Sequence, residues 1–269
     1  MKSILTTQEL LLIEPRRWFA KVAEFESHQA GLVEMLFGEE PTAEQSPEVD
    51  GDGIATVEIA GPIVAGLPWF AEQFGYARPE RIRQQLEDAS KNPAVKAIVL
   101  YIDSPGGTVT GTPELASFVQ EVSATKPIYA FTSGLCCSAA YWIAAPSRAI
   151  LATPSSEVGS IGVYVAHQDM SALARAMGIV VNVFRSGKYK GAGVPGTSLS
   201  EAQSAEIQAK VDSLAALFKS FVTEHRPGMN EETMQGQTFM GYQSAGVRLI
   251  DGLVGDIKEA KKVFAQLDK

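Results

Sequence analysis

Val95-Lys96-Ala97-Ile98-Val99-Leu100-Tyr101-Ile102 is apolar almost throughout and runs straight into Asp103-Ser104-Pro105-Gly106-Gly107. A short apolar run stopped by a Pro-Gly cluster reads as a strand. Working outward, Ile54 to Ile63 reads as a second strand and Pro79 to Lys91 as the helix between the two. On the far side, Pro113 to Ala124 is helical, Pro127 to Thr132 a strand and Ser138 to Ala145 a helix. Ala149 to Ala152, Ile161 to Ala166 and Val180 to Phe184 read as further strands, with a helix over Ser171 to Met177. Continuous apolar strands separated by helices predict a largely parallel sheet covered on its faces, so the class is α/β. A long amphipathic helix follows from Glu201 to about Glu224, with Ile207, Val211, Leu214, Leu217, Phe218 and Phe221 on one face.

The N-terminal fifth is organised differently. Trp18, Phe19, Val22 and Phe25, then Leu32, Val33, Leu36 and Phe37, suit two amphipathic helices within residues 1–38. Residues 39–53 carry Glu39, Glu40, Glu44, Glu48, Asp50 and Asp52 with no basic residue and read as a solvated acidic linker. The α/β pattern then fills residues 54–269.

Composition bounds the function. With 269 residues, 45% hydrophobic and 20% charged, the chain is long and apolar enough for a full core. Its 23 Lys and Arg against 31 Asp and Glu leave a net charge of −8 and no basic cluster, which makes nucleic acid a poor partner. Cys136 and Cys137 are neighbours and cannot normally bridge each other, so no disulfide framework is expected. The early apolar run Leu10-Leu11-Leu12-Ile13 is fenced by Glu9 and Glu14, and no window holds the roughly 18 apolar residues that span a bilayer. The expectation is a cytoplasmic chain without a membrane anchor.

Reactive groups in open α/β sheets gather beyond the carboxyl ends of the strands. The loop Ser104 to Gly107 lies at such an end, where paired glycines can turn N–H groups toward a ligand as an oxyanion hole requires. Gly134-Leu135-Cys136-Cys137-Ser138-Ala139-Ala140 follows a strand and opens a helix. A serine at that corner exposes its hydroxyl, with the next backbone N–H aimed into the same space. Cys137 is a rival nucleophile, though a cysteine in so apolar a run is more often a core residue. For a base, only His167 of the three histidines sits at a strand end, which with Asp169 keeps a Ser/His/Asp triad open. The other source is Ser186-Gly187-Lys188-Tyr189-Lys190. A lysine serves only if its surroundings pull its pKa from about 10.4 to roughly 7 or 8. No His/Cys/carboxylate cluster has ligand spacing and no phosphate loop is present, so neither metal nor cofactor is expected.

Four segments together resemble the signal peptide peptidase family, which includes phage prohead proteases. They are Ser104-Pro105-Gly106-Gly107, Cys137-Ser138-Ala139-Ala140-Tyr141-Trp142-Ile143-Ala144, Gly159-Ser160-Ile161-Gly162-Val163 and Ser186-Gly187-Lys188-Tyr189-Lys190, in the family's order. The resemblance extends from about Ile54 to about Ile257. It implies the crotonase-like α/β superfold shared with Clp proteases and a Ser/Lys dyad: Ser138 as nucleophile and Lys190 as general base. Lys190 is preferred to Lys188 because two residues separate the family's lysine from its Ser-Gly. Ser160 would hold the lysine amine, and Gly106 and Gly107 with the N–H of Ala139 would form the oxyanion hole.

Ala139-Ala140 stands where cellular members usually carry Gly-Gly, and His167-x-Asp169 resembles the phage prohead branch. The implied activity is endopeptidase cleavage of peptide or protein substrates through an acyl-enzyme, on signal-peptide remnants or on capsid and scaffold proteins. Double-length members look like two fused copies with serine and lysine on different halves. A half-length chain would then form a ring-shaped homo-oligomer with shared sites. The competing expectations are a crotonase-like acyl-CoA lyase or thioesterase, and a catalytically inactive assembly protein.

Overall fold

The computed structural model describes residues 46–267. The helices expected within residues 1–38 and residues 39–45 of the acidic linker lie outside the described residues. The linker's end is part of the sheet: β1 (Glu48–Val49) turns at Asp50–Gly53 and pairs antiparallel with β2 (Ile54–Ala60). Asp50 stabilises that turn by accepting the amides of Asp52 and Ile54 and pairing with Lys261 at 2.8 Å.

The elements that follow are α1 (Pro79–Lys91), β3 (Ala97–Ser104), α2 (Thr112–Thr125), β4 (Ile128–Cys137), α3 (Ala139–Ala144), β5 (Ile150–Ala152) and β6 (Glu157–Gly159). Next come α4 (Ser171–Ala176), α5 (Glu201–His225), β7 (Thr238–Met240), α6 (Gly241–Ser244), β8 (Gly252–Leu253) and α7 (Ile257–Leu267). Among the described residues the strands form one sheet in the order β1-β2-β3-β4-β5-β8, with β6 added to β4 and β7 to β6. All pairings are parallel except β1 with β2 and β6 with β7.

Side-chain alternation along the central strands explains the burial on both faces. Ile98, Leu100 and Ile102 of β3 face the larger core, where Ile82 and Leu86 of α1 and Val119 of α2 cover them. Ala97 and Val99 face the opposite core, closed by Ala260 and Phe264 of α7, with Phe264 stacked on Tyr129 at 4.4 Å. The α/β class expected from the sequence is the observed one.

Three expectations change. β4 continues five residues beyond Thr132, to Cys137, because its end finds a partner in β6. Ile161 to Ala166 and Val180 to Phe184 form no regular element and pair with no strand among the described residues. Their apolar pattern suits a sheet, yet no sheet edge among the described residues receives them, and Tyr164 and Phe184 are 87% and 97% exposed. The third concerns α5, which forms as expected and begins with a Ser200–Gln203 capping box, but buries only Gln203, Phe218 and Val222.

Candidate active site

The register between β3 and β4 builds the site. Ile102 pairs with Thr132 and Ser104 with Cys136, so Asp103 alone faces Ser133, Gly134 and Leu135. This bulge bends β4: residues 130–132 pair with β5, whereas residues 135–137 pair with β6. The bend delivers Ser138 to the end of the glycine loop. Ser138 itself has φ 52 and ψ −123, a conformation non-glycine residues rarely adopt. Its amide donates to Gly159 O at 2.8 Å and its carbonyl accepts from Trp142 N at 3.0 Å, which hold the turn.

The glycine loop is fastened from beneath. The buried Ser104 hydroxyl donates to Gly61 O at 2.7 Å and accepts the Gly106 amide at 3.1 Å. Ile63 bridges the loop through Ile63 N to Gly106 O at 2.8 Å and Thr108 N to Ile63 O at 2.9 Å, leaving the Gly107 amide outside the bridge. Neither glycine has room for a side chain. A Cβ on Gly107 would lie 1.8 Å from Ile63 O, and one on Gly106 would lie 2.6 Å from Ser138 Cβ. Of the three amides expected to serve an oxyanion, Gly106 N–H is therefore already engaged. Those of Gly107 and Ala139 stay available, Ala139 because the first residue of a helix has no carbonyl of its own helix to bond.

Ser138 lines two adjoining clefts of about 440 and 510 Å³. The first runs past Thr108, Ala139 and Trp142 to Phe218, where Trp142 stacks on Phe218 at 4.3 Å. The second contains Gly106, Gly107 and Ser160. Tyr164 and Gly162 border both, and sequence reasoning missed Tyr164, whose exposure in a strand-like segment carries no local signal. A larger groove of about 820 Å³ lies at the amino ends of the strands between Lys96 and Lys262, and no serine or cysteine lines it.

Ser138, Ser160, Gly106, Gly107 and Ala139 thus converge, whereas the candidate bases do not. No lysine, histidine or carboxylate lines either cleft among the described residues. Lys190 is exposed in a turn closed by its amide on Gly187 O at 3.2 Å. His167 is exposed as well, and Asp169 caps Ser171 N at 2.9 Å, its carboxyl held down to about 2, first of all by the Ser171 side chain. His225 is held by Phe221 O at 2.8 Å, and His28 lies outside the described residues. Cys137 is buried beside Ser138. Burial, then the Glu157 carboxylate, pushes its thiol up to about 11 and keeps it protonated. Among the described residues no group of three His, Cys, Asp or Glu is placed to hold a metal ion, and no helix is long and apolar enough to cross a membrane.

The family model for peptidase family S49 matches residues 120–269, more than half of the chain and the part that holds β4, Ser138, Ser160 and Lys190. The chain belongs to peptidase family S49. A Clp protease model also matches residues 72–161, which include the glycine loop and Ser138.

Several curated relatives of this S49 chain carry protease names. A candidate protease of Methanocaldococcus jannaschii is 33% identical over 68% of the chain and 59% of its own length. Capsid assembly protease C of Escherichia phage lambda is 27% identical over 76% of the chain and 47% of its own length. Protease 4 of Salmonella typhi is 28% identical over 84% of the chain and 36% of its own length. The S49 chain therefore spans between 36% and 59% of the length of these three relatives.

Proposed function

We propose that this S49 chain is a serine endopeptidase that cleaves peptide bonds through an acyl-enzyme on Ser138. The observation that carries the reading is the turn at φ 52, which packs Ser138 against Gly106 of the glycine loop in a cleft that Gly107 and Ala139 also line, and supports those two amides as the oxyanion donors. In the reaction the hydroxyl oxygen attacks the scissile carbonyl and gives up its proton to a base. The two amides stabilise the oxyanion, and the base returns the proton to the departing amine. Water then hydrolyses the ester.

The base in this reading is the neutral amine of Lys190 supplied by a neighbouring copy, with Ser160 holding that amine. Two features support it: among the described residues neither cleft has a base of its own, and Lys190 lies on a stretch rich in exposed apolar groups, among them Val165, Val180 and Phe184. A lone subunit rarely leaves so much apolar surface in water. A second copy would cover it, and head-to-tail repetition of that contact closes into a ring when the rotation allows.

Scaffold or capsid proteins and signal-peptide remnants are the proposed substrate classes, by analogy with the relatives' names. Incubating the protein with a denatured protein pool and sequencing the cut sites by mass spectrometry tests the activity. New termini should appear with the wild type and vanish with Ser138→Ala. Equal cutting by both would refute the assignment.

A further inference from the structure

We propose that Asp103 is a positioning residue whose carboxylate fastens the bend in β4 that aims Ser138 at the glycine loop. The proposal rests on the reading of Ser138 as nucleophile. Asp103 is the last residue before the Ser104–Gly107 loop, and it stands opposite the three bulged residues Ser133, Gly134 and Leu135. These three residues have no register partner on β3, so the side of their backbone that faces β3 needs another partner to hold the bulge in shape.

Asp103 supplies that engagement. Its Oδ1 accepts the Leu135 amide at 3.0 Å, and its own carbonyl accepts the Gly61 amide at 2.9 Å. A Cβ on Gly134 would fall 2.2 Å from the same Oδ1, so the carboxylate occupies the place a side chain would take. Among the described residues this exposed aspartate joins no ion pair. Its contacts all run to backbone that leads into the site.

The consequence is geometric. β4 leaves β5 at Thr132 and joins β6 at Leu135, and three residues later Ser138 takes up its turn. A strand that slips by one residue moves along its axis by about 3.3 Å. A displacement of 1 Å between reacting groups already lowers a rate about 100-fold. Because Asp103 and Ser104 are adjacent, one strand end sets both the amides and the nucleophile. Leu135 N–H can turn to water when the carboxylate is removed, so the expected loss is of aim and not of folding.

The test compares Asp103→Ala, Asp103→Asn and Gly134→Ala in the full chain, reading kcat, KM and hydrogen exchange at the Leu135 amide. Asp103→Ala should lower kcat tenfold or more with KM within twofold and speed Leu135 exchange. Asp103→Asn, which keeps the accepting oxygen, should stay within threefold of wild type in both readouts. Gly134→Ala should reproduce the alanine phenotype by expelling the carboxylate. If Asp103→Ala does not fold, Asp103→Glu, which keeps the charge and shifts the oxygen by one methylene, should show the same kcat loss. Wild-type kcat in Asp103→Ala overturns the proposal, and so does unchanged Leu135 exchange. If the wild type hydrolyses no peptide, the nucleophile reading fails separately, and exchange at Leu135 decides whether the clamp exists.

Discussion

Gly106 and Ser138 approach so closely that a Cβ on the glycine would sit 2.6 Å from the Cβ of the serine. The contact joins the end of β3 to the end of β4, and it requires glycine at φ 96. Gly106→Ala should therefore push the loop and the nucleophile apart, lowering kcat/KM on the order of 100-fold, comparable to losing an oxyanion donor. Peptide hydrolysis and the rate of labelling by a serine-directed fluorophosphonate should fall together. A variant with normal labelling would show that the loop tolerates the extra carbon.

Cys137 should prove chemically silent. With its thiol pushed up to about 11, only about one molecule in 10,000 carries the thiolate at pH 7. Iodoacetamide should leave the native protein active at pH 7, and Cys137→Ala should keep activity within a few fold. The folded state holds this proton above the ordinary thiol value of 9.0, where the unfolded chain has released it. Stability contributed by the buried thiol is thus complete below pH 9 and is lost between about pH 9 and 11. Thermal melts across that range should show a fall that is shallower in Cys137→Ala.

The sequence was legible where local pattern and tertiary partner agree. The apolar run Val95 to Ile102 and the corner at Ser138 could be read directly, since both their strands find neighbours within the chain. Val180 to Phe184 carries the same kind of pattern but finds no partner strand among the described residues, and periodicity alone does not show whether an apolar run meets an edge. The Gly106 amide looked like an oxyanion donor because nothing in Ser-Pro-Gly-Gly reveals that the Ser104 hydroxyl turns inward to take it. The bulge opposite Asp103 was equally invisible: three residues facing one is a property of pairing, not of either strand alone.

Arg226, just past the end of α5, ties that helix to the sheet. Its guanidinium is buried and meets Asp251 Oδ2 at 2.7 Å, and the same oxygen accepts the Ile150 amide at 2.7 Å. Asp251→Ala would leave a buried cation and a strand amide without this partner. It should cost about 2 kcal/mol, below the usual figure for a fully buried pair because the aspartate is partly exposed. Urea titration should show a lower midpoint with an unchanged slope.

The central claim, that Ser138 of one copy works with Lys190 of the next, is tested most directly by mixing two dead proteins. Ser138→Ala and Lys190→Ala are unfolded, refolded together in equal amounts and assayed for peptide hydrolysis. In a randomly mixed ring each site needs an intact serine on one side and an intact lysine on the other, so roughly a quarter of wild-type activity should return. A mixture that stays inactive, although mixed oligomers demonstrably form, would contradict the shared site.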